Sequence, residues 1–300
     1  MKILKFGGKS LANGEGLERV VQTIAQKYFN NEPITVVVSA RGNATDELVI
    51  LLKKAQANIA YKNDFEEFKN YQLYGLKENI FKNDFLTLEK IFEGVLLLGD
   101  YSEKIKDQVI AFGEIISAKY IAQLLNENSI RANFTDARVL IKTDINFGNA
   151  QPIGAVSRRN VVEYFNKNKD VVNVVTGFIG STLHNETTTL GRNGSNYTAS
   201  LLANYLNATE FQNFTHVDGI FTANPDLVID AKKIERLSFN EANELANLGT
   251  QILHAKTIIP LVEKNIPLRI LNTFNADNTG TLITSEQTNE GIKSLSVLTN

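Results

Sequence analysis

The chain has 300 residues, 43% of them hydrophobic, with 21% charged residues and a formal charge of −2, enough apolar material for one large domain or two lobes and no bias toward a polyanion. No long basic run and no interleaving of aromatic with basic residues marks a nucleic-acid groove. The absence of cysteine excludes a disulfide scaffold and a thiolate nucleophile, and three histidines make a poor zinc set. With no apolar stretch of bilayer length and no basic-then-apolar leader after Met1, no membrane partner is expected and the cytoplasm is the expected location.

The first predicted element is a strand, Ile3 to Phe6, whose Lys5 leads into Gly7 and Gly8, with Lys9 and Ser10 behind them. An ammonium fixed beside a tight turn that bares its backbone suits an anion. A buried strand with a solvated lysine and an ordinary turn accounts for the same residues. A helix over Leu17 to Tyr28 and a strand over Ile34 to Val38 follow, then the turn Val38-Ser-Ala-Arg-Gly-Asn-Ala-Thr-Asp46 enters a helix over Glu47 to Ala60. Ser39 and Thr45 offer hydroxyls, and the helix start offers free N–H groups, to a small anionic ligand; a serine turn with Thr45 or Asp46 as N-cap is the plain alternative. Residues 61–108 mix Tyr, Phe, Lys, Asn and Glu at helical spacing, as in Phe65, Phe68, Tyr71 and Tyr74, which predicts an insertion of surface helices that packs rather than reacts. Phe112-Gly-Glu114 opens a further helix over Ile115 to Asn126, with Glu114 placed either to take a bond from a substrate ammonium or to cap the helix.

The Asn-, Gly- and Asp-rich stretch from Leu140 to Arg158 reads as a long excursion between two lobes. Beyond it come a strand over Val171 to Thr176 with an exit at Gly177 to Ser181, and a second hydroxyl-rich turn, Thr187 to Thr198, running into a helix over Tyr197 to Leu206. Gly191, Arg192 and Gly194 stand just before Ser195, where an arginine can grip a carboxylate bidentately while backbone donors hold phosphoryl oxygens. A plain capped helix uses the same residues. Phe214 to Asp226 ends a strand in a sharp turn at Asp218-Gly219; Ile220 and Phe221 suit a flat base with Thr215 at its edge, and a hairpin-like turn explains the glycine equally. His216 and His254 have no second histidine or carboxylate at ligand spacing and are expected to hydrogen-bond locally. A strand over Leu268 to Leu271 and a closing strand over Thr281 to Thr284 complete the pattern, and residues 285–300 read as a tail or linker.

Apolar strands alternating with helices predict an α/β fold with a largely parallel sheet covered on both faces, whose ligands gather beyond the carboxyl ends of the strands. A lysine and glycine turn for phosphates, hydroxyls with an arginine for a small zwitterionic acid, and an apolar segment for a base form the set that phosphoryl transfer needs. No G-x-x-x-x-G-K-[ST] string occurs, nor the H-R-D and D-F-G strings of protein kinases, so a kinase here is of another kind.

The strings Lys5-Phe-Gly-Gly8, Val37-Val-Ser-Ala40, Thr45-Asp46, Gly113-Glu114, Thr188-Thr-Leu-Gly-Arg192, Gly194-Ser195, Val217-Asp-Gly219, Leu253-His254 and Asn272-Thr-Phe274 with Gly280-Thr-Leu282 run in order over residues 2–284. They resemble the catalytic domain of aspartate kinases, of the amino acid kinase superfamily, and most of all the kinase portion of bifunctional aspartokinase–homoserine dehydrogenases. The resemblance implies a three-layer α/β/α sandwich with a mainly parallel central sheet, the carbamate kinase-like fold, over residues 1–284. In that scheme an N-terminal aspartate lobe covers about 1–180, with the helical insertion at about 61–108, and a C-terminal nucleotide lobe covers about 181–284. The implied activity is transfer of the γ-phosphoryl group of ATP to the side-chain carboxylate of L-aspartate, the first step of lysine, threonine and methionine biosynthesis. Magnesium (Mg2+) would be held mainly by the nucleotide phosphates, with no protein metal ligand.

By the same resemblance Lys5 stabilises the transferring phosphoryl group, while Glu114 and Arg192 hold the ammonium and carboxylate of the acid, with Ser39, Thr45 and Ser195 in the same pocket. Gly7, Gly8, Lys9, Ser10, Thr215, His216, Asp218, Phe221, Asp226 and Gln251 fall on the nucleotide side. The chain departs from the family pattern at Lys9, Asn196, His216, Asn224, Asp226 and Gln251, where Thr, Asp, Asp, Asp, Arg and Lys are expected. Asn196, at a catalytic position, lacks the carboxylate that orients the lysine, and Asp226 and Gln251 remove two cations aimed at phosphates. Lys9 either restores one charge or pairs with an acid such as Glu15, and Lys256 is a second candidate to reach inward. Two readings stay open: an active aspartate kinase, and a catalytically impaired kinase-like domain with a structural or regulatory role in a bifunctional chain. A homo-oligomer is expected, formed through regulatory domains absent from these 300 residues.

Overall fold

The computed structural model describes residues 1–223, 228–247 and 254–286. Strand β1 (Lys2–Phe6), helix α1 (Glu15–Phe29) and strand β2 (Ile34–Val38) lead into four helices, α2 (Ala44–Gln56), α3 (Lys62–Gln72), α4 (Lys82–Leu98) and α5 (Glu103–Glu127). Next come β3 (Ala132–Thr135), α6 (Ala137–Leu140), β4 (Lys142–Thr143), α7 (Gly154–Lys167), β5 (Val172–Thr176), β6 (Ile179–Thr182), β7 (Thr187–Thr189) and α8 (Gly194–Tyr205). The chain continues through β8 (Glu210–Thr215), β9 (Ile220–Phe221), β10 (Lys233–Ile234), β11 (Arg236–Ser238), α9 (Phe239–Asn247), α10 (Ala255–Val262), β12 (Leu268–Asn272) and β13 (Thr281–Thr284).

The main sheet has the order β11-β13-β12-β8-β1-β2-β5-β3, parallel throughout except where β13 runs antiparallel to β12. Every residue of β2 and of β5 is buried. Alternate side chains of a strand face opposite sides, so burial at every position requires cover on both faces, and the valine-rich runs supply it with apolar surface. Helix α5 packs on β2, β3 and β5, and α8 packs on β1, β2 and β8 with α10 behind it. This is the α/β architecture expected from the sequence. β1 lies mid-sheet, and the chain builds outward from it in both directions, β2 on one side and β8 on the other. Such a reversal opens a crevice at the strand exits.

Residues 61–108 do form helices, and their aromatic residues pack: Phe65 meets Phe92 edge-on at 5.4 Å between ring centroids and Phe85 at 6.3 Å. One helix differs from the sequence expectation. α5 is a single helix of 25 residues, begun by Ser102 whose hydroxyl accepts from the Ile105 N–H, so Glu114 lies in its middle and neither opens nor caps it. Gly113 marks contact rather than a start, because a β-carbon there would stand 2.8 Å from Ala40 Cβ. Likewise α2 is entered through Asn43, which leaves Thr45 and Asp46 inside the first turn instead of capping it.

Candidate active site

The exits of β1, β2 and β5 meet the first turn of α8 around a cleft of about 500 Å³. Glycines mark the closest approaches. A β-carbon at Gly8 would stand 2.8 Å from the Gly42 carbonyl oxygen and 2.9 Å from that of Ala40, and one at Gly177 would stand 2.5 Å from Ser195 Cβ. The Gly42 N–H donates to the Gly8 carbonyl at 3.0 Å, and the Ser39 N–H to Phe6 at 3.1 Å, so the turn after β2 is laced to the turn after β1.

Into this cleft the fold brings Lys5, Gly8, Ser39, Thr45, Glu114, Arg192, Ser195 and Asn196. Lys5 is buried, and its Nζ would lie 3.4 Å from a β-carbon on Gly7. Burial lowers its pKa to about 8, partly opposed by Glu114. Glu114 is buried too, and burial pushes its carboxyl up to about 8, against the Ala40 N–H, which donates to Oε1 at 3.1 Å, and against Lys5. Its Oε2 has no hydrogen-bond partner, and neither has the buried Oδ1 of Asn196. Arg192 is exposed at the rim, after Gly191 and just before Asn193, whose left-handed backbone starts α8. Burial, reinforced by Lys256 and Arg192, pulls the nearby His254 below the ordinary histidine range, a sign of a cationic rim. A buried carboxylate with one open oxygen, a buried ammonium and a rim guanidinium together complement a small molecule bearing both an ammonium and carboxylates.

Several wall residues had no sequence signal. Asp107 is fully buried, accepting from the Gly148 N–H at 2.8 Å, the Thr189 N–H at 2.9 Å and the Thr189 hydroxyl at 2.7 Å; these partners stand 41 and 82 residues away. Lys106, Ile110 and Phe178 also line the cleft.

The other predicted positions lie beyond this wall, toward β8. The Gly7 N–H donates to Phe214. Ser10 is buried, its hydroxyl receiving that of Thr273 at 2.7 Å. Lys9 Nζ stands 3.3 Å from His216 Nε2, whereas Glu15 faces Arg19. The Thr215 hydroxyl accepts from the Val217 N–H, and Asp218 Oδ1 accepts from the amides of Asn272 at 2.7 Å and Asn275 at 3.1 Å. Phe221 sits in the β9–β10 pair opposite Lys233. Asn224, Asp226 and Gln251 lie outside the described residues. Lys256 Nζ makes an exposed bond to Asn149 Oδ1 at 2.7 Å, outside the cleft lining; a β-carbon on Gly191 would stand 2.5 Å from the same oxygen. His254 hydrogen-bonds locally, its Nδ1 accepting from the Lys256 N–H at the start of α10.

A family model described as the amino acid kinase family matches residues 1–272. The chain belongs to the amino acid kinase family. Within it the chain is aspartokinase-like. It is 30% identical over 292 residues to the chloroplastic bifunctional aspartokinase/homoserine dehydrogenase 2 of Arabidopsis thaliana, covering 93% of this chain and 32% of that one. A crystal structure of E. coli aspartokinase III in complex with aspartate and ADP, in the R-state, superposes with a TM-score of 0.87 at 30% identity, covering 96% of this chain and 65% of that one. The same enzyme with lysine and aspartate, in the T-state, gives 0.81 at 29% identity. This amino acid kinase therefore spans about a third to two thirds of the length of these relatives.

Proposed function

We propose that this chain is an aspartate kinase domain that phosphorylates the side-chain carboxylate of L-aspartate with ATP. The observation that carries the reading is Glu114 Oε2, a buried and unpartnered acceptor in a cleft that also holds Lys5 and Arg192. The relatives named above, one of them with aspartate and ADP bound, support the choice of acid and nucleotide. In this reading Glu114 takes the ammonium of aspartate, Arg192 its α-carboxylate, and Ser39, Thr45 and Ser195 the remaining polar edges. The side-chain carboxylate, already ionised at neutral pH, needs no base. One of its oxygens attacks the γ-phosphorus in line, the bond to the bridging oxygen breaks, ADP leaves with the electron pair, and Lys5 offsets the charge on the transferring group.

In this reading a magnesium ion arrives with the nucleotide and takes its ligands mainly from the phosphates. When bound it would neutralise phosphate charge. Gly8 and Ser10 would present backbone N–H groups on the nucleotide side, with Gly7 tying the turn to Phe214, and Lys9 with His216 would form a polar edge. The proposal extends to a cytoplasmic enzyme that assembles as a homo-oligomer with further domains.

A second reading, an impaired kinase-like domain, draws on Asn196: its amide offers Lys5 no compensating charge, and its buried Oδ1 is unpartnered. Trapping the acyl phosphate as a hydroxamate separates the two. The expected result is aspartate- and ATP-dependent hydroxamate from the wild-type protein, lowered at least about a hundredfold in Lys5→Ala. No product from wild type favours the impaired domain, and equal product from both removes Lys5 from the mechanism.

A further inference from the structure

Arg41 stands between Ala40 and Gly42, two wall residues of the cleft, yet its side chain is fully buried elsewhere. Nη1 donates to the Gln72 carbonyl at 2.8 Å and Nη2 to Asn13 Oδ1, and the guanidinium carbon lies 3.6 Å from the centroid of the Tyr120 ring and 5.8 Å from that of Tyr71. A guanidinium taken out of water is costly unless its charge is met, and these partners are all formally neutral. The compensating charge is the end of α3. Carbonyls of a last helical turn lack partners within the helix and carry the negative end of its dipole. Three carbonyls at this end are met from outside: Tyr71 by Asn13 Nδ2 at 3.2 Å, Gln72 by Arg41, and Tyr74 by the Tyr120 hydroxyl at 2.6 Å. Asn13 both accepts from Arg41 and donates to Tyr71, which closes the ring.

The backbone on either side of Arg41 serves the cleft. The Ala40 N–H holds Glu114 Oε1 and the Gly42 N–H holds the Gly8 carbonyl. Gly42 has φ +56°, and a β-carbon there would stand 2.4 Å from the Tyr71 hydroxyl oxygen, so α3 presses on the loop itself. Arg41 Nε and both amide atoms of Gln72 are buried without hydrogen-bond partners, so the hold of Arg41 on this junction rests on its two bonds and on its contact with Tyr120.

We propose that Arg41 is a positioning residue for the acid pocket: by capping α3 it fixes the loop 39–46, and so couples the helical insertion to amino-acid affinity. This rests on reading the cleft as the acid site. The test compares wild type with Arg41→Met, Arg41→Lys and Asn13→Ala, the last removing one anchor while leaving the buried cation in place. Amide hydrogen exchange is followed by mass spectrometry, and aspartate and ADP binding are measured separately by calorimetry. In Arg41→Met and Asn13→Ala, exchange is expected to quicken together over residues 39–46 and 68–74 while α8 keeps its rate. Aspartate affinity should fall about tenfold in Arg41→Met and about threefold in Asn13→Ala, with ADP affinity held within about twofold, and Arg41→Lys should recover part of the loss because it restores the charge without the fork. Unchanged exchange over 39–46, or an equal loss for both ligands, overturns the inference. If Arg41→Met does not fold, Asn13→Ala decides by the same readings. If wild type binds no aspartate, the functional reading falls, and the linked exchange of the two segments alone carries or sinks the role of Arg41.

Discussion

The two sides of the cleft are finished differently. On the side of α5 and α8, Glu114 and Asn196 keep buried acceptors open, which stay costly until a ligand meets them, and Arg192 stands exposed at the rim. On the β8 side the turn residues have met one another, Ser10 with Thr273, Thr215 with Val217, and Asp218 with Asn272 and Asn275, and the buried acceptors left open are Gln212 Oε1 and Asn213 Oδ1 within the strand itself. On the proposed reading the acid therefore meets open side-chain groups, whereas the nucleotide meets turns whose side chains are already paired.

The sharpest way to break this contrast is Arg192→Ala. A charge-assisted arginine–carboxylate bond is worth roughly 1.5 to 3 kcal/mol, so aspartate binding should weaken by at least about tenfold while ADP binding holds, both read by calorimetry. Equal losses would erase the distinction between the sides. Glu114→Gln is the next largest. Its carboxyl, raised from 4.5 to about 8, is protonated in the empty cleft at neutral pH, and a ligand ammonium must drive that proton off. Aspartate affinity of the wild type should therefore strengthen from pH 6 toward 8, with proton release seen as buffer-dependent heat, and then decline as Lys5, lowered to about 8, loses its charge. The Gln variant should bind weakly, with the rise below pH 8 gone. Stability runs the opposite way with pH: the folded chain holds the Glu114 proton that the unfolded chain gives up, so this carboxyl favours the fold fully below about pH 4.5 and loses that advantage by about pH 8. Urea titrations across that window should show the slope in wild type and not in Glu114→Gln. The smallest effect is expected from Lys9→Thr. If the Lys9–His216 edge meets phosphates, ADP affinity should fall about threefold at low salt and less at high salt, with aspartate unaffected.

Much of the fold could be read before any coordinates. The strand runs Ile3 to Phe6 and Ile34 to Val38 and the periodic faces of α1 and α2 announce themselves because burial is written into neighbouring residues. The cleft was legible where chemistry sits in short strings, at Lys5 to Gly8, Ser39 to Thr45 and Gly191 to Ser195, which the fold brings together. Glu114 was found as a residue but misplaced in its helix, because Gly113 looks like punctuation until Ala40 is seen against it. Asp107 and Arg41 were invisible as contributors. A charged residue inside a polar stretch reads as solvated, and what buries it in each case arrives from far along the chain.

The bond between Ser10 and Thr273 joins residues 263 positions apart, and β1 finds its partner β8 only after more than 200 residues. Lys5 and the glycine turn leave the ribosome long before the strand and the threonine that brace them. Contacts so distant in sequence are slow to close because the entropy of the intervening loop must be overcome first. During synthesis this segment therefore waits unassembled, and the β1 turn is completed only once β8 and Thr273 dock beside it.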